Sequence, residues 1–551
     1  MKQIDIIKTY SQKRCLVVDD VPDIRASLKR ILVDFGSSNI DTAGNAEEAI
    51  DLCQKHQYDI VLSDYNLGTG KNGQQLLEEL RFHGLLRNTA LYIMITAESA
   101  SHYVLHALEY QPDDYLGKPI NRDGLRPRLD QALLKNEALL NAKKALDAKN
   151  TKAAIAACKK LLAQQNRYAN DAKKMLGELF LQQREYQNAL DLHSEPLDGR
   201  HPIWMTTGAA RAHIGLKQLD IAESLLNQLI LDNPRCVEAH DLLAKVYEYQ
   251  NNPAQAQQAL HNAVSISPRS TNRQREMGRI SREAGDEMAS VHAYRTALKQ
   301  SRNSCHEQAE DYLHLAQGLT NLSRENLTDM EELASEAMET LKAVDKRFST
   351  QPIVKMRRKL VEADLHHVQK NDAMAENAKN EALQAYTEMR FSAVQNTSAE
   401  LCIECARAFM EIGEYDKGEQ LLQEVARINN DPEIAIRLDK LLREPLTREG
   451  VQLAAKLNRD GIQCYQEKQY DKAIAAFNNV LHELPNHIGL NLNMVQTIIS
   501  KHKSSPLNEA DIELISHSFQ RIGKIDTNSG YADRYTYLTK QFKKIKVGVN
   551  H

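Results

Sequence analysis

The sequence is poor in the residues that interrupt secondary structure. It contains 23 glycines and 14 prolines in 551 residues, where average composition would supply about 39 and about 28. Because glycine and proline break helices, this deficit favours long helices and excludes a chain built mainly of loops and turns. We therefore expect a mostly α-helical protein, and its length requires several domains or an array of repeats.

Cysteine is scarce as well. Eight cysteines are scattered along the chain, which suits a reducing compartment and excludes a small scaffold held by disulfides. The one close pair, Cys402 and Cys405, lies in a helical pattern with no second pair nearby to complete a zinc site. We expect these two residues to be buried structural thiols.

Long apolar runs and an excess of one charge are also missing. No run reaches the roughly 20 residues that span a bilayer, and Asp5 and Lys8 interrupt the N-terminal segment, unlike a signal peptide. The 70 basic and 74 acidic residues give a formal net charge of −4. We expect a cytoplasmic protein without a membrane partner, and nucleic acid would need a local basic patch that the net charge does not favour.

Short apolar runs alternate with amphipathic helical patterns in the first part of the chain. The runs predicted as strands are 14–19, 39–43, 59–64, 90–96 and 113–118. Helical patterns occupy 22–35, 45–56, 72–84 and 99–109, and another begins at 121. This alternation predicts an α/β, doubly wound, five-stranded parallel sheet whose functional site lies at the carboxyl ends of the strands.

Acidic and polar residues stand at those strand ends. Asp19 and Asp20 follow the first strand, and Asp64 ends the third. Three carboxylates at one edge repel each other unless a hard divalent cation lies between them, so the sequence predicts a Mg²⁺ site. Thr96 and Lys118 end the fourth and fifth strands, and their hydroxyl and ammonium suit phosphoryl transfer to Asp64 as the nucleophile.

In this order and spacing, the residues resemble the receiver domain of two-component response regulators, over residues 12–135. The resemblance also rests on Tyr115 three residues before Lys118, and on Pro119 directly after it. It implies a flavodoxin-like fold and phosphorylation of Asp64 by a sensor histidine kinase or a phosphotransfer protein. By the same resemblance, Mg²⁺ is held by Asp20, Asp64 and the backbone carbonyl of Asn66, with Asp19 acting mainly through water.

The resemblance assigns further roles near the acceptor. Lys118 would contact a phosphoryl oxygen, the Lys118–Pro119 peptide bond would be cis, and Thr96 with Tyr115 would form the switch pair. Asn66 and Glu98 lie two residues after Asp64 and Thr96, where polar groups orient the attacking water, so we expect them to tune dephosphorylation. The loop after Asp64 departs from the family pattern, because it carries Gly68 where proline is frequent and is one residue longer.

Beyond residue 135 the patterns are helical and repeat. Small residues recur at intervals of 33, 34 and 34, at Gly177, Ala210, Ala244 and Gly278. Twelve residues after each stand Ala189, Ala222, Ala256 and Ser290. This pattern resembles the tetratricopeptide repeat (TPR), whose period is 34, and predicts an all-α TPR-like solenoid with a concave groove for a protein partner.

The body divides by the quality of this repeat. We expect TPR-like helical repeats over 136–305, irregular helical hairpins over 306–400, TPR-like repeats over 401–500, and C-terminal helices with a tail over 501–551.

Two features of the body are candidates for partner binding. Arg275, Arg279 and Arg282 share one helical face and could clamp an acidic ligand, although an exposed charged face without a dedicated partner would look the same. Trp204, the only tryptophan, is either an aromatic anchor for a ligand or a packing residue between hairpins.

The sequence offers no recognisable output enzyme: it contains no P-loop, GGDEF signature, zinc-protease motif or catalytic-triad context. The predicted function is that of a bacterial response regulator in which phosphorylation of Asp64 alters how the TPR body holds a partner protein. We expect the response to pass through the face formed by helix 99–109, the fifth strand and the helix after it. The alternatives are a transcriptional or RNA regulator that binds nucleic acid through the body, and a phosphorylation-independent assembly scaffold whose receiver mediates homodimerisation.

Overall fold

The computed structural model describes residues 10–97, 112–164, 167–194, 201–302, 304–325, 329–348, 351–388, 399–411, 414–429, 431–442, 458–502, 507–523 and 531–549. The chain divides into two compact units, Met1–Gly318 and Leu319–His551.

The first unit begins with a five-stranded parallel sheet in the order β2-β1-β3-β4-β5. Its strands are β1 (Arg14–Val18), β2 (Asn39–Ala43), β3 (Ile60–Asp64), β4 (Leu91–Thr96) and β5 (Asp114–Gly117). The described helices around it are α1 (Pro22–Asp34), α2 (Ala46–Lys55), α3 (Gly73–Phe82) and α4 (Arg122–Ala138). Every strand starts and ends within one residue of its predicted bounds, and the predicted helix 99–109 lies outside the described residues.

The sheet is buried on both faces because its strands are apolar at successive positions. Cys15 and Val17 of β1 face the layer of α1 and α4, whereas Leu16 and Val18 face the layer of α2 and α3. Side chains alternate between the two faces of a strand, so a continuous apolar run packs into the hydrophobic cores on both faces of the sheet. The predicted doubly wound α/β fold is confirmed.

The helices that follow form the helical body. In the first unit they are α5 (Leu140–Asp147), α6 (Thr151–Ala163), α7 (Ala169–Gln182), α8 (Tyr186–Ser194), α9 (Ile203–Gly215), α10 (Leu219–Asp232), α11 (Val237–Tyr249), α12 (Pro253–Ile266), α13 (Thr271–Glu283) and α14 (Glu287–Ser301). The next helix, α15 (Ala309–Glu325), begins in the first unit and ends in the second. Successive helices are joined by short connections and pack on one another as hairpins.

Small residues set the spacing of these hairpins. The eight residues at the two repeating positions are all buried: Gly177, Ala210, Ala244 and Gly278, then Ala189, Ala222, Ala256 and Ser290. At Gly278 an added Cβ would lie 2.6 Å from Tyr294 Cε2. A larger residue there would therefore push two helices apart, which explains why the period of small residues follows the repeat.

The second unit is helical throughout its described residues. Its helices are α16 (Met330–Phe348), α17 (Pro352–Val368), α18 (Asp372–Glu388), α19 (Ala399–Glu411), α20 (Tyr415–Ile428), α21 (Pro432–Leu441), α22 (Tyr470–Glu483), α23 (Ile488–Lys501), α24 (Glu509–Ile522) and α25 (Ala532–Val549), with helical residues 458–466 before α22. Cys402 and Cys405 on α19 are fully buried free thiols. Among the helices described in both units, none is long and apolar enough to cross a membrane.

Candidate phosphoacceptor site

The strand register brings the predicted site residues to one edge of the sheet. Val18 pairs with Ser63, Asp64 pairs with Ile95, and Thr96 pairs with Gly117. Parallel strands end at the same edge, so the residues that follow β1, β3, β4 and β5 meet there. The sequence predicts this convergence correctly.

Three carboxylates form the centre of the site. One ligand oxygen from each of Asp19, Asp20 and Asp64 lies within 4.8 Å of the others. Asp19 is 0% and Asp64 6% exposed, whereas Asp20 faces solvent. Such a set of oxygen ligands, open on one side, fits a hard divalent cation that retains part of its water shell, as Mg²⁺ does.

Lys118 joins the two buried carboxylates. Its Nζ lies 2.8 Å from Asp64 Oδ2 and 2.9 Å from Asp19 Oδ2. The backbone N–H of Lys118 donates to the carbonyl of Thr96 at 2.6 Å, and the Lys118–Pro119 peptide bond is cis. The end of β5 thus places one ammonium beside the Asp64 carboxylate.

Burial and the neighbouring charges shift the pKa values of Asp64 and Lys118 in opposite directions. Burial raises the pKa of the Asp64 carboxyl above its ordinary value, and the ammonium of Lys118 counteracts only part of this effect. Burial alone would lower the pKa of Lys118, but its hydrogen bonds to Asp64 and Asp19 raise it. Lys118 therefore keeps its positive charge, and this charge offsets only part of the cost of burying the ionised Asp64 carboxylate.

The remaining predicted residues surround this centre. Thr96 is buried at the end of β4, and Tyr115 lies half-buried on β5 beside Met94. Asn66 is exposed, and its side-chain oxygen accepts from the backbone N–H of Gly68 at 3.3 Å. Glu98 lies outside the described residues.

The loop after Asp64 passes close to the acidic pair. Gly68 has a φ of +78°, and a Cβ added there would lie 3.3 Å from Asp20 Oδ2. Glycine adopts this left-handed backbone without the cost that other residues incur. Gly68 therefore allows the loop to turn beside Asp20, although the family pattern often has proline at this point.

Three residues that sequence reasoning missed support the backbone of Asp64. A Cβ on Gly73 would lie 2.0 Å from the carbonyl oxygen of Asp64, so only glycine fits at the start of α3. The buried Tyr92 hydroxyl donates to the Gly73 carbonyl at 2.6 Å, and the Ser63 hydroxyl donates to the Asp64 carbonyl at 3.0 Å. Tyr92 reads in the sequence as an ordinary core residue, so no local signal identifies this role.

The candidate arginines of the body share one face of α13, and each contacts residues of this chain. Arg275 makes an ion pair of 2.7 Å with Asp311 and also donates to the carbonyl of His306. Arg282 Nη1 lies 2.9 Å from His314 Nδ1. Arg279 has three acidic neighbours, Glu248, Glu276 and Glu283. An acidic ligand at this face would have to replace these intramolecular contacts.

Trp204 lies half-buried at the start of α9. Its ring packs edge-on against His193 of α8, with 5.7 Å between the ring centroids. His193 is in turn confined between Gly177 and Gly208, where an added Cβ would meet its ring at 2.6 and 2.5 Å. This environment is that of a packing residue between hairpins.

Comparison with known proteins identifies the N-terminal part of the chain. Residues 15–130 match the family model of the response regulator receiver domain. The chain is 30% identical over 118 residues to chemotaxis protein CheY-3 of Vibrio cholerae, which corresponds to 21% of this chain and 89% of that protein. It is also 30% identical over 127 residues to response regulator Rre1 of Synechocystis, which covers 23% of this chain and 54% of Rre1.

Two solved structures match different parts of the chain. The response regulator TrrA of Thermotoga maritima, solved in complex with Mg²⁺ and beryllofluoride, is 35% identical, with 22% of this chain and 100% of that chain covered at a TM-score of 0.20. A tetratricopeptide repeat protein of Parabacteroides merdae is 15% identical, with 50% of this chain and 98% of that chain covered at a TM-score of 0.31.

Proposed function

The chain belongs to the response regulator receiver family, and we propose that it is a two-component response regulator that accepts a phosphoryl group on Asp64 and signals through its helical body. The observation that carries this proposal is the contact of the Lys118 ammonium with both Asp64 and Asp19, beside a third carboxylate on Asp20. A buried nucleophile, a fixed cation and a cluster of metal-binding oxygens are the parts that phosphoryl transfer needs.

In the proposed reaction, one carboxylate oxygen of Asp64 attacks the phosphorus of the donor. A P–O bond forms, the bond from phosphorus to the donor's nitrogen or oxygen breaks, and the donor leaves with that electron pair and takes up a proton. The Lys118 ammonium stabilises negative charge on the transferred group, and Asp19 holds Lys118 in place. Asp19, Asp20 and Asp64 would hold Mg²⁺, which when bound neutralises charge on the phosphoryl oxygens.

The proposed donor is a sensor histidine kinase or a phosphotransfer protein, and the proposed output is contact with a partner protein. Packed helical hairpins with a periodic set of small buried residues support an output of this kind, because solenoids of hairpins offer extended concave surfaces to other proteins. Binding of an acidic segment at Arg275, Arg279 and Arg282 belongs to this proposal only if it displaces their intramolecular partners.

Labelling of the full chain with a small phosphodonor tests the proposal. The wild type and Asp51→Asn, a change at an exposed carboxylate on α2, should both incorporate phosphate in the presence of Mg²⁺. Asp64→Asn should incorporate none, and EDTA should abolish labelling of the wild type. Labelling of Asp64→Asn at the wild-type level would show that the acceptor is another residue.

A further inference from the structure

The outer face of α3 is polar in sequence and yet largely buried. Leu76, Leu77 and Leu80 occupy the inner face of this helix and pack in the sheet core. On the opposite side Gln74 is 4% exposed and the side chain of Glu78 is 8% exposed. Polar residues on the outer helix of an α/β domain ordinarily face water, so something in the first unit covers them.

Two residues, Gln300 near the end of α14 and His306 beyond it, contact this face. The side-chain amide of Gln75 donates to the carbonyl of Gln300, near the end of α14, at 3.4 Å. His306 Nε2 lies 2.9 Å from Glu78 Oε2, in an ion pair rather than an aligned hydrogen bond. The other oxygen of Glu78 accepts from the Gln74 amide at 2.9 Å. Gln300 and His306 therefore contact α3 within one chain, and we call these two contacts the α3 latch.

One end of α3, which carries the latch residues, contacts the backbone at Asp64 and Tyr65. The backbone N–H of Gly73, the first residue of α3, donates to the carbonyl of Tyr65 at 2.8 Å. Gly73 also approaches the carbonyl of Asp64 too closely to admit a Cβ. Gln75 completes the capping box with Asn72 and makes the contact with Gln300 as well. A shift of the Asp64 backbone must therefore move the residue that contacts the helical body.

His306, the other side of the latch, contacts Arg275 on α13. The carbonyl of His306 accepts from Arg275, and Arg275 is held by the buried carboxylate of Asp311 on α15. Arg275 thus links residue 306 to two neighbouring helices of the repeat array. Displacement of His306 would change the contacts of one of the arginines that the sequence identifies as a candidate for partner binding.

We propose that the α3 latch is a switchable contact between the receiver and its repeats, closed when Asp64 is unmodified and weakened when Asp64 is phosphorylated. This proposal rests on the proposed phosphorylation of Asp64. Phosphorylation replaces the single charge of the Asp64 carboxylate with the roughly 1.5 to 2 negative charges of a phosphoryl group, and it extends that charge outward from the residue whose carbonyl lies against the first turn of α3. Such charge attracts the positive end of a helix, so the capping box that includes Gln75 is rearranged and its contact with Gln300 is lost.

Hydrogen exchange on the full chain tests the latch. Activation of the wild type with Mg²⁺ and beryllofluoride should speed exchange at Gln300, at His306 and on α3 by about 5- to 150-fold, the usual range of coupling between sites. Glu78→Lys should produce the faster exchange without activation, because two cations then face each other at His306. The double variant Glu78→Lys with His306→Glu should restore the slow exchange, and Asp51→Lys on α2 should behave as the wild type.

The possible results separate this proposal from the one on which it rests. Unchanged exchange at 300–306 in Glu78→Lys, or in activated wild type whose Asp64 accepts phosphate, overturns the latch while phosphorylation of Asp64 stands. If Asp64 accepts no phosphate, the proposed function fails, and the latch fails with it as a phosphorylation switch. Faster exchange in Glu78→Lys would then establish the contact as structural only.

Discussion

Lys118 Nζ lies 2.8 Å from Asp64 Oδ2, although the two residues are 54 positions apart in the chain. This contact keeps the ammonium beside the carboxylate that we propose as the nucleophile. Asp19 shares the same ammonium at 2.9 Å, so Lys118 is held by two carboxylates. We therefore expect removal of Lys118 to change the ionisation of Asp64 as well as the proposed stabilisation of a transferred phosphoryl group.

We expect Lys118→Met to raise the pKa of Asp64 further. Burial already raises that pKa, and the Lys118 ammonium is the main group that opposes burial. Carboxyl ¹³C NMR of Asp64 across a pH series should show titration at a higher pH in the variant than in the wild type. Lys29→Met, at an exposed position on α1, should leave the titration unchanged.

The sign of the effect on stability follows from the same shift. A carboxyl with a raised folded-state pKa binds its proton more tightly in the folded than in the unfolded chain. Its contribution to the free energy of unfolding therefore falls as pH rises from the unfolded value, about 3.9, through the folded value. In Lys118→Met this fall should extend to higher pH, and a wild-type pH dependence would contradict our account of the Asp64 charge.

The lifetime of the phosphoryl group should depend on Asn66. Its side chain is exposed two residues after Asp64, and its amide can orient water toward the phosphorus. Asn66→Met removes that group, so the phosphorylated protein should persist longer, by up to about 100-fold when water is no longer positioned. Release of phosphate from the purified phosphoprotein measures the effect, and combination with Glu98→Leu should extend it.

A change far from the site controls for a non-specific effect of substitution. Asp51→Asn on α2 should leave the release rate at the wild-type value. If Asn66→Met also leaves it unchanged, Asn66 does not assist the attacking water.

Much of the fold and of the phosphoacceptor site can be predicted from the sequence. The five strands are continuous apolar runs bounded by helical patterns, and a parallel sheet forces their carboxyl ends to one edge. Asp19, Asp20, Asp64 and Lys118 could thus be brought together without coordinates. The repeat of small residues in the body can also be found in the sequence. Close packing of helices leaves no room for a larger side chain at Gly278 or Ala210, so the small residues recur with the period of the repeat.

The contacts between distant segments could not be predicted in this way. Gln74 and Glu78 look like the solvent face of an amphipathic helix. Only the folded first unit shows that both are buried and that His306 contacts Glu78. Arg275 likewise reads as a free cation, whereas its partner Asp311 lies 36 positions away on another helix. Long-range pairing of polar residues leaves no periodic pattern, so the sequence gives no signal for it.

The ion pair between His306 and Glu78 should make the latch sensitive to alkaline pH. Cys305 and the Glu78 carboxylate raise the pKa of His306 to about 10, above the ordinary histidine value of about 6.5. The folded chain therefore binds this proton more tightly than the unfolded chain. The contribution of protonated His306 to the free energy of unfolding is complete below about pH 6.5. It is lost as pH rises through the folded-state pKa of about 10.

Comparison of the wild type with His306→Gln isolates this contribution. The wild type should resist denaturant better at pH 6.5, and the difference between the two proteins should shrink toward pH 10. His292→Gln, at an exposed position on α14, should show no such difference. A gap between wild type and His306→Gln that stays constant from neutral to alkaline pH would argue that His306 acts only by packing.

Gly73 provides the sharpest test of how α3 is joined to the acceptor. An added Cβ would lie 2.0 Å from the Asp64 carbonyl oxygen and 2.9 Å from Ser63 Oγ, so the backbone must shift to admit a methyl group. We expect Gly73→Ala to destabilise the receiver by about 1 to 3 kcal/mol, the usual cost of overpacking, and to slow phosphorylation because Asp64 itself is displaced.

Gly117→Ala is the matched control, because a Cβ there meets nothing within 4 Å and the backbone φ is not positive. Denaturant unfolding and small-donor labelling of both variants separate the two effects. A Gly73→Ala protein with wild-type stability and wild-type labelling would mean that the start of α3 can move without disturbing Asp64. The helix could then not carry the signal from the acceptor to residues 300–306, whatever the state of the contact between Glu78 and His306.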